Sequence, residues 1–452
     1  MPETLPNPAA QQGIRRIAVT GFKSILKRQE IEIRPLTILA GANSSGKSSI
    51  MQPLLLLKQT LEAPYDPGAL KLDGPNVRFT GAEQLLARTL RGGAVKNFKV
   101  ELDIAGWGDE EGELAMTFHK AGKHPIDVEE MTTATPRGPL TLRATMTDDQ
   151  TLSLLREMGF VDTPKSKVEG DRTVKTAHVS RDRCFLNVDV TEGIGKRKGR
   201  VPKWFNHQRE IYSVMDVIHV RGLRGNPERS YPIAAFGRQF PGEFERYVAG
   251  VLAAWKAGGN KKALKAVGLD LLKLGLTWKV EARPISETQV ELHVGRMPEP
   301  ERGGAHDLVS IADVGFGVSQ TLPVVVALHV ARPGQLVYIE QPEIHLHPRA
   351  QVAMAGVLAR AAQRGVRVVC ETHSAHLLLA LQSLVAEGNL SPGLVALHWF
   401  TRKDGVTEIK TAELDASGAY GDWPEDFSDV ILQQERRYLD AASLRTAKEI
   451  VE

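Results

Sequence analysis

Residues 31–61 read IEIRPLTILA, GANSSGKSSI, MQPLLLLKQTL, and the fold turns on them. The first segment is rich in β-branched residues and predicts one buried strand over Ile31–Ala40 that runs straight into the glycines. The last segment, MQPLLLLKQTL (51–61), predicts the apolar body of a helix. Between them Gly41–Ser48 satisfies G-x-x-x-x-G-K-[ST]. A strand, a glycine-rich loop and a helix in that order form the context a phosphate-binding loop requires. Glycines let backbone N–H groups of Asn43, Ser44, Gly46, Ser48 and Ser49 turn inward around phosphate oxygens. Lys47 brings a point charge to the β and γ phosphates, Ser48 a hydroxyl for Mg²⁺, and the helix N-terminus a favourable dipole.

Three more stretches carry chemistry. In LVYIEQPEIHLHP (336–348) four apolar residues place Glu340 at the carboxyl edge of a buried strand, where open α/β sheets bind ligands. Glu340 then stands where an acid would hold Mg²⁺ through water, beside the Ser48 hydroxyl. Gln341 and Glu343 follow it, while His345 and His347 read as packing or contact residues rather than metal ligands. CETHSAHL (370–377) ends a second buried strand in Thr372, His373 and Ser374. His373 reaches a γ-phosphate if that strand neighbours the loop strand. DVGFGVSQTLP (313–323) is a second anion nest at a helix start, with Gly315, Gly317, Ser319 and Gln320 as candidates and Ser319 as the ordinary helix cap.

The rest of the chain is organised around these motifs. IAVTGF (17–22) opens as a strand. Short strands are expected at 96–104, 112–120, 140–146 and 184–190, with a basic loop over 191–203. Phe240–Leu274 reads as helical, 277–285 and 288–296 as a strand pair, and 298–307 as a loop. Site residues near both ends favour one nucleotide domain with an insertion. The expected division is a disordered leader (1–13), the first ATPase part (14–95), a mostly β insertion with the basic loop (96–204), a helical and β arm (205–300), the second ATPase part (301–430) and a C-terminal helix (431–452). Neither heptads nor repeats occur, so no long coiled coil is encoded.

Composition sets the outer limits. The 452 residues carry a net charge of +3, which neither demands nor excludes nucleic acid. Cys184 and Cys370 have no metal-ligand or disulfide spacing, which fits a reducing cytosol. The N-terminus lacks the pattern of a secretory signal. The longest apolar run, Leu322–Ala331, is half the roughly 20 residues a membrane span needs, so a cytoplasmic protein without membrane contact is expected. No NKxD base-reading motif appears, since NKKA (260–263) lacks the acid, which disfavours a GTPase.

The ensemble resembles ABC-type ATPases of the SMC, RecF and OLD-like group, over about residues 14–95 and 205–430. The nearest likeness is to AAA-like ATPases of bacterial anti-phage defence operons, where the EQPE-x-HLHP form and a tail like YGDWPEDF (420–427) recur. The resemblance implies an α/β fold: an ABC-type P-loop domain split by a mixed α+β insertion. It implies ATP and Mg²⁺ as cofactors, and a homodimer or higher even-numbered oligomer that sandwiches ATP. Gly315, Gly317, Ser319 and Gln320 would form a divergent signature acting in trans, with His373 as the switch in cis. Two departures stand out. The signature lacks LSGGQ, and Gln341 occupies the position of the usual catalytic Glu. An amide cannot accept a proton from water, so either Glu343 serves as base or hydrolysis is slow. Gln59 and Gln84 are candidates for the Q-loop.

About 80 residues follow His373, without the spaced acids of a Toprim nuclease. The resemblance then implies a separate effector, a nuclease or toxin. The alternative is a DNA-repair or DNA-organising ATPase of RecF or SMC type. Its phosphate contacts would be Arg15, Arg16, Lys23, Lys27 and Arg28; Lys196, Arg197, Lys198, Arg200 and Lys203; and Lys261, Lys262 and Lys265.

Overall fold

Pro35 divides what the sequence reads as one strand. Proline offers no N–H to a ladder, and the Thr37 hydroxyl closes the bend, accepting the Arg34 N–H at 2.9 Å and donating to the Arg34 carbonyl at 3.1 Å. Residues 31–32 and 36–41 therefore belong to different sheets. The computed structural model describes residues 12–421, except 90–91, 106–110, 121–125, 162–172, 195–196, 202–206, 234–236 and 297–305, together with 436, 437 and 439.

In chain order, β1 (Gly13–Thr20) and β2 (Gln29–Glu32) precede β3 (Leu36–Gly41) and α1 (Lys47–Leu61). A meander follows of β4 (Asn97–Ala105), β5 (Glu111–His119), β6 (Asp127–Thr135) and β7 (Gly138–Arg143). Then come α2 (Asp148–Glu157), β8 (Thr173–Asp182), β9 (Phe185–Ile194), β10 (Arg197–Val201), α3 (Gln208–Met215), β11 (Ile218–Val220) and β12 (Tyr231–Pro232). The next stretch holds α4 (Val248–Ala257), α5 (Lys261–Lys273), β13 (Val280–Pro284), β14 (Gln289–Gly295) and β15 (Leu308–Ser310). The chain closes with α6 (Phe316–Val330), β16 (Leu336–Glu340), α7 (Pro348–Gln363), β17 (Arg367–Thr372), α8 (Ala375–Ala386), β18 (Val395–Lys403) and β19 (Val406–Ala412).

The fold is mixed α/β, without a long coiled coil among the described residues. Its centre is a sheet of order β11-β16-β17-β3-β18-β19, parallel except for β19. Alternation along these strands sends side chains to two cores. Leu39, Tyr338, Val369 and Phe400 join Ile50, Leu54 and Leu55 of α1 and the antiparallel sheet β2-β1-β4-β5-β6-β7. Ile38, Val337, Ile339, Val368 and Leu397 face the opposite way, onto α4 to α8. The strands over 97–143 thus extend the sheet begun by β1 and β2, and the expected boundary at 95/96 falls inside that sheet.

Several local expectations change. The basic stretch 191–203 is not a loop up to Val201: β9 and β10 pair antiparallel there, with Arg197 opposite Ile194. Helix over 240–274 is broken into a 3-10 turn (Phe244–Tyr247), α4 and α5, because Gly258 and Gly259 end α4 and Asn260 caps α5. The strand expected to reach Met146 stops at Arg143. Gly13, assigned to the leader, already belongs to β1, while residues 1–11 lie outside the described residues. Most of the expected C-terminal helix (431–452) and of the 298–307 loop also lies outside them. Among the described residues no helix is long and apolar enough to cross a membrane, and both cysteines are buried and unpaired by disulfide.

Candidate functional site

The loop between β3 and α1 is shaped by backbone that other residues tolerate poorly. Gly41 has φ 148° and Gly46 φ 103°, and a Cβ on Gly46 would sit 2.2 Å from the Thr407 hydroxyl. Ser44 takes φ 61°. Gly46 caps α1 without any side-chain hydrogen bond, and the first turn holds no acid. The N–H groups that begin α1 are therefore offered to an anion rather than to a side chain. Lys47 is buried and folded over the loop, donating to the carbonyls of Gly41 (2.9 Å) and Ala42 (2.8 Å). Burial holds its pKa below the usual lysine value, against the pull of Glu371 and Glu343.

A cavity of about 820 Å³ lies over this loop, within the range of small-molecule sites. Asn43, Ser44, Gly46, Lys47, Ser48 and Ser49 line it, with Gln341 and His373 brought in from the ends of β16 and β17. β17 pairs directly with β3, so the condition for His373 to reach the loop is met. Burial and Lys47 hold the His373 pKa below the ordinary histidine value, which favours the neutral ring.

The two strand-end acids have different partners. Ser48 Oγ donates to both oxygens of Glu371, at 3.0 and 2.9 Å, and not to Glu340. Tyr338 donates to the same carboxylate at 2.8 Å. Burial raises the Glu371 pKa despite help from Tyr338, Ser48 and Lys47. Glu340 is turned toward His219, Nε2 to Oε1 3.1 Å, and accepts the Gly222 N–H at 3.0 Å. Burial works to raise its pKa, but His219, the Gly222 N–H and Arg224 outweigh that and hold it below the usual carboxylate value.

Glu343 does not line the cavity. Its Oε1 accepts the Thr372 hydroxyl (2.8 Å) and the His373 N–H (2.7 Å), and its Oε2 is buried without a hydrogen-bond partner. Through Oε1 it pins the end of β17. Gln341 adopts φ 45° and donates its N–H to the Glu371 carbonyl at 2.8 Å.

Gly315, Gly317, Ser319 and Gln320 do not line the cavity of their own chain. Gly315, not Ser319, is the N-cap of α6, and Ser319 bonds back to the Phe316 carbonyl at 3.1 Å. Gln320 is buried, accepting the Arg224 N–H (3.3 Å) and donating to the Gly225 carbonyl (2.6 Å). That engagement leaves it poorly placed to contact a nucleotide. Of the Q-loop candidates, Gln84 lines the cavity, whereas Gln59 is buried and spans Lys71 and Val77. His347 caps α7, the His345 ring lies tilted against Phe316 at 5.9 Å between centroids, and no group of three metal-holding side chains occurs among the described residues.

Sequence reasoning missed the β18–β19 hairpin, which closes one side of the loop. Thr407 donates to the Ser45 carbonyl at 2.8 Å, and Arg402 donates to the Ser44 carbonyl at 3.3 Å. Asp404 and Gly405 both have positive φ, 51° and 80°. An Asp-Gly pair between β-rich runs was the available signal. Lys23, Arg88 and Arg402 join Lys47 around the cavity, a basic rim suited to polyphosphate. Ser48 and Glu371 supply hard oxygen donors of the kind Mg²⁺ takes. The residues present therefore fit both groups.

Residues 263–380, roughly a quarter of the chain, match a family model described as "AAA domain, putative AbiEii toxin, Type IV TA system". The match spans α6, β16 and β17 but not the phosphate loop. No curated protein matches the chain. Among solved structures, an SMC head bound to the C-winged helix domain of ScpA is 12% identical with a TM-score of 0.49, covering 89% of this chain and 98% of its own. The SMC head domain from Thermotoga maritima is 12% identical with a TM-score of 0.40, covering 89% and 99%. An Smc head domain with an extended coiled coil from Pyrococcus furiosus, bound to the C-terminal domain of ScpA, is 10% identical with a TM-score of 0.47, covering 94% and 99%.

Proposed function

We propose that this chain binds MgATP over the Gly41–Ser48 loop, hydrolyses it slowly, and dimerises around it to control a separate effector, a nuclease or toxin, in anti-phage defence. The observation that carries the nucleotide reading is the convergence of Lys47, Ser48, Glu371, Gln341 and His373 on one cavity above an uncapped helix N-terminus. When bound, Mg²⁺ neutralises phosphate charge. The chain's own part is to cradle the phosphates with the α1 N–H groups, to move Lys47 from its carbonyls onto them, and to present His373 as a neutral hydrogen-bonding ring.

Slow turnover is supported by Gln341. Gln341 lines the cavity where a proton acceptor is needed, and Glu343, the other candidate base, does not line it and has Oε1 held by Thr372 and the His373 N–H. Dimerisation is supported by the α6 N-terminus, where Gly315 is exposed, Phe316 is 51% exposed, and neither lines its own cavity. The separate-effector reading draws on the resemblance in residues 336–348; the family description, which names a putative toxin and a Type IV TA system, supports only a place in such a system.

The DNA-organising alternative is less well supported by its first basic cluster. Arg16 is paired with Asp103 and Glu30, Arg28 with Glu101 and Glu30, and Lys23 faces the phosphate cavity. The test is solution mass with and without MgATP, for the wild type and Ser319→Arg. ATP-dependent doubling that Ser319→Arg abolishes is expected. A monomer at saturating ATP refutes the dimer, and a strong salt dependence of duplex DNA binding revives the alternative.

A further inference from the structure

Glu340 and Glu371 are register partners on β16 and β17, so both side chains leave the sheet on one face. It is the face that α1 covers, since Leu39, opposite Glu371 on β3, packs with Ile50 and Leu54. The order of strands separates the two acids in reach. β17 borders β3, whereas β16 lies one strand farther out, about 5 Å more distant from the phosphate loop.

Their partners separate them further. Both oxygens of Glu371 meet Ser48 Oγ, and Tyr338, fully buried two residues before Glu340, donates its hydroxyl to Glu371. Glu340 has each oxygen occupied, by His219 Nε2 and by the Gly222 N–H. His219 is itself fixed, with Nδ1 at 3.2 Å from Asn76 Oδ1 and its ring stacked on Tyr338 at 5.2 Å. Arg224 holds the Glu340 carbonyl at 2.7 Å. Freeing Glu340 would dismantle this whole assembly, whereas Glu371 already stands at the hydroxyl.

We propose that Glu371, rather than Glu340, is the acid that holds Mg²⁺ together with Ser48, and that Tyr338 is the positioning residue that aims it. The proposal rests on the MgATP reading above. Mg²⁺ is bound through one or two carboxylates, phosphate oxygens and retained waters, and Ser48 with Glu371 brings two such oxygen groups together from facing elements. Glu340 then serves to anchor the Arg221–Arg224 segment to the strand end.

The test uses the full chain with saturating ATP and Mn²⁺ as probe, reading free Mn²⁺ by electron paramagnetic resonance. Metal-free ATP affinity is read separately with a fluorescent analogue in EDTA. In Glu371→Gln, Mn²⁺ affinity should fall on the order of tenfold to a hundredfold, as for groups that support a bound metal, while metal-free ATP binding is retained. Tyr338→Phe should lose affinity in the same direction and by less, and Glu340→Gln should lose less than either. A larger loss in Glu340→Gln than in Glu371→Gln, or equal losses, overturns the proposal. Should Glu371→Gln not fold, Tyr338→Phe carries the test, and unchanged Mn²⁺ affinity there overturns it. Failure of the wild type to bind ATP in EDTA and with Mn²⁺ alike would instead sink the MgATP reading, a result distinguishable from any pattern among the variants.

Discussion

Replacing Gln341 by Glu should accelerate ATP hydrolysis by about a hundredfold. Gln341 sits on the cavity with Lys47, Ser48 and His373, and its N–H is bonded to the end of β17, so the side chain is held beside the phosphate loop. Its φ of 45° costs the same for Glu as for Gln, so the backbone need not move. A positioned general base is worth roughly 10²–10⁴ in rate. The lower end applies, because the new carboxylate joins Glu340 and Glu371 and their charge keeps part of it protonated. A hundredfold corresponds to about 2.7 kcal/mol of barrier. The assay is single-turnover release of the γ-phosphate at saturating MgATP, with ATP affinity measured in parallel. A Gln341→Glu protein that binds ATP as wild type does but hydrolyses it no faster would refute the reasoning. The limit on turnover would then lie elsewhere, in closure of the dimer or in product release.

Three other outcomes follow from the geometry. Gly46→Ala should destabilise the fold by about 2 kcal/mol and abolish nucleotide binding, because its Cβ meets the Thr407 hydroxyl at 2.2 Å and its φ is strained for alanine; urea unfolding and ATP titration read the two effects. Glu62→Gln should cost about 3–5 kcal/mol in chemical unfolding, since it strands the fully buried Lys58 ammonium that Glu62 neutralises. Asp216 has its pKa raised to about 6, by burial acting against Arg332. The folded chain thus holds a proton there that the unfolded chain releases near pH 4. Wild type should therefore lose stability relative to Asp216→Asn as pH rises from about 4 to 6, and a difference between the two that is flat across that window would contradict it.

The nucleotide loop was legible because its signal is local. Glycines at fixed spacing, an apolar run before them and a leucine-rich run after them are all within residues 31–61. The buried strands at 336–340 and 367–372 were legible for the same reason. What was not legible depends on partners distant in sequence. Whether Glu340 or Glu371 meets Ser48 is decided by strand order, and nothing in LVYIEQPE or CETHS encodes that β17 rather than β16 lies next to β3. Nor does IEQPE encode that Glu343 Oε1 meets the Thr372 hydroxyl and the His373 N–H. The bend at Pro35 and the Asp404–Gly405 turn are different, since both carry recognised local signals that apolar patterning alone overrode.

The central claim is that the Gly41–Ser48 cavity holds MgATP, and calorimetric titration of ATP with Mg²⁺ into wild type and Lys47→Ala tests it most directly. The account predicts saturable binding by wild type at one site per chain, weakened at least about tenfold in a folded Lys47→Ala protein, because the ammonium that lies over the loop is lost. Equal affinities in the two proteins, or no binding by either, would contradict it.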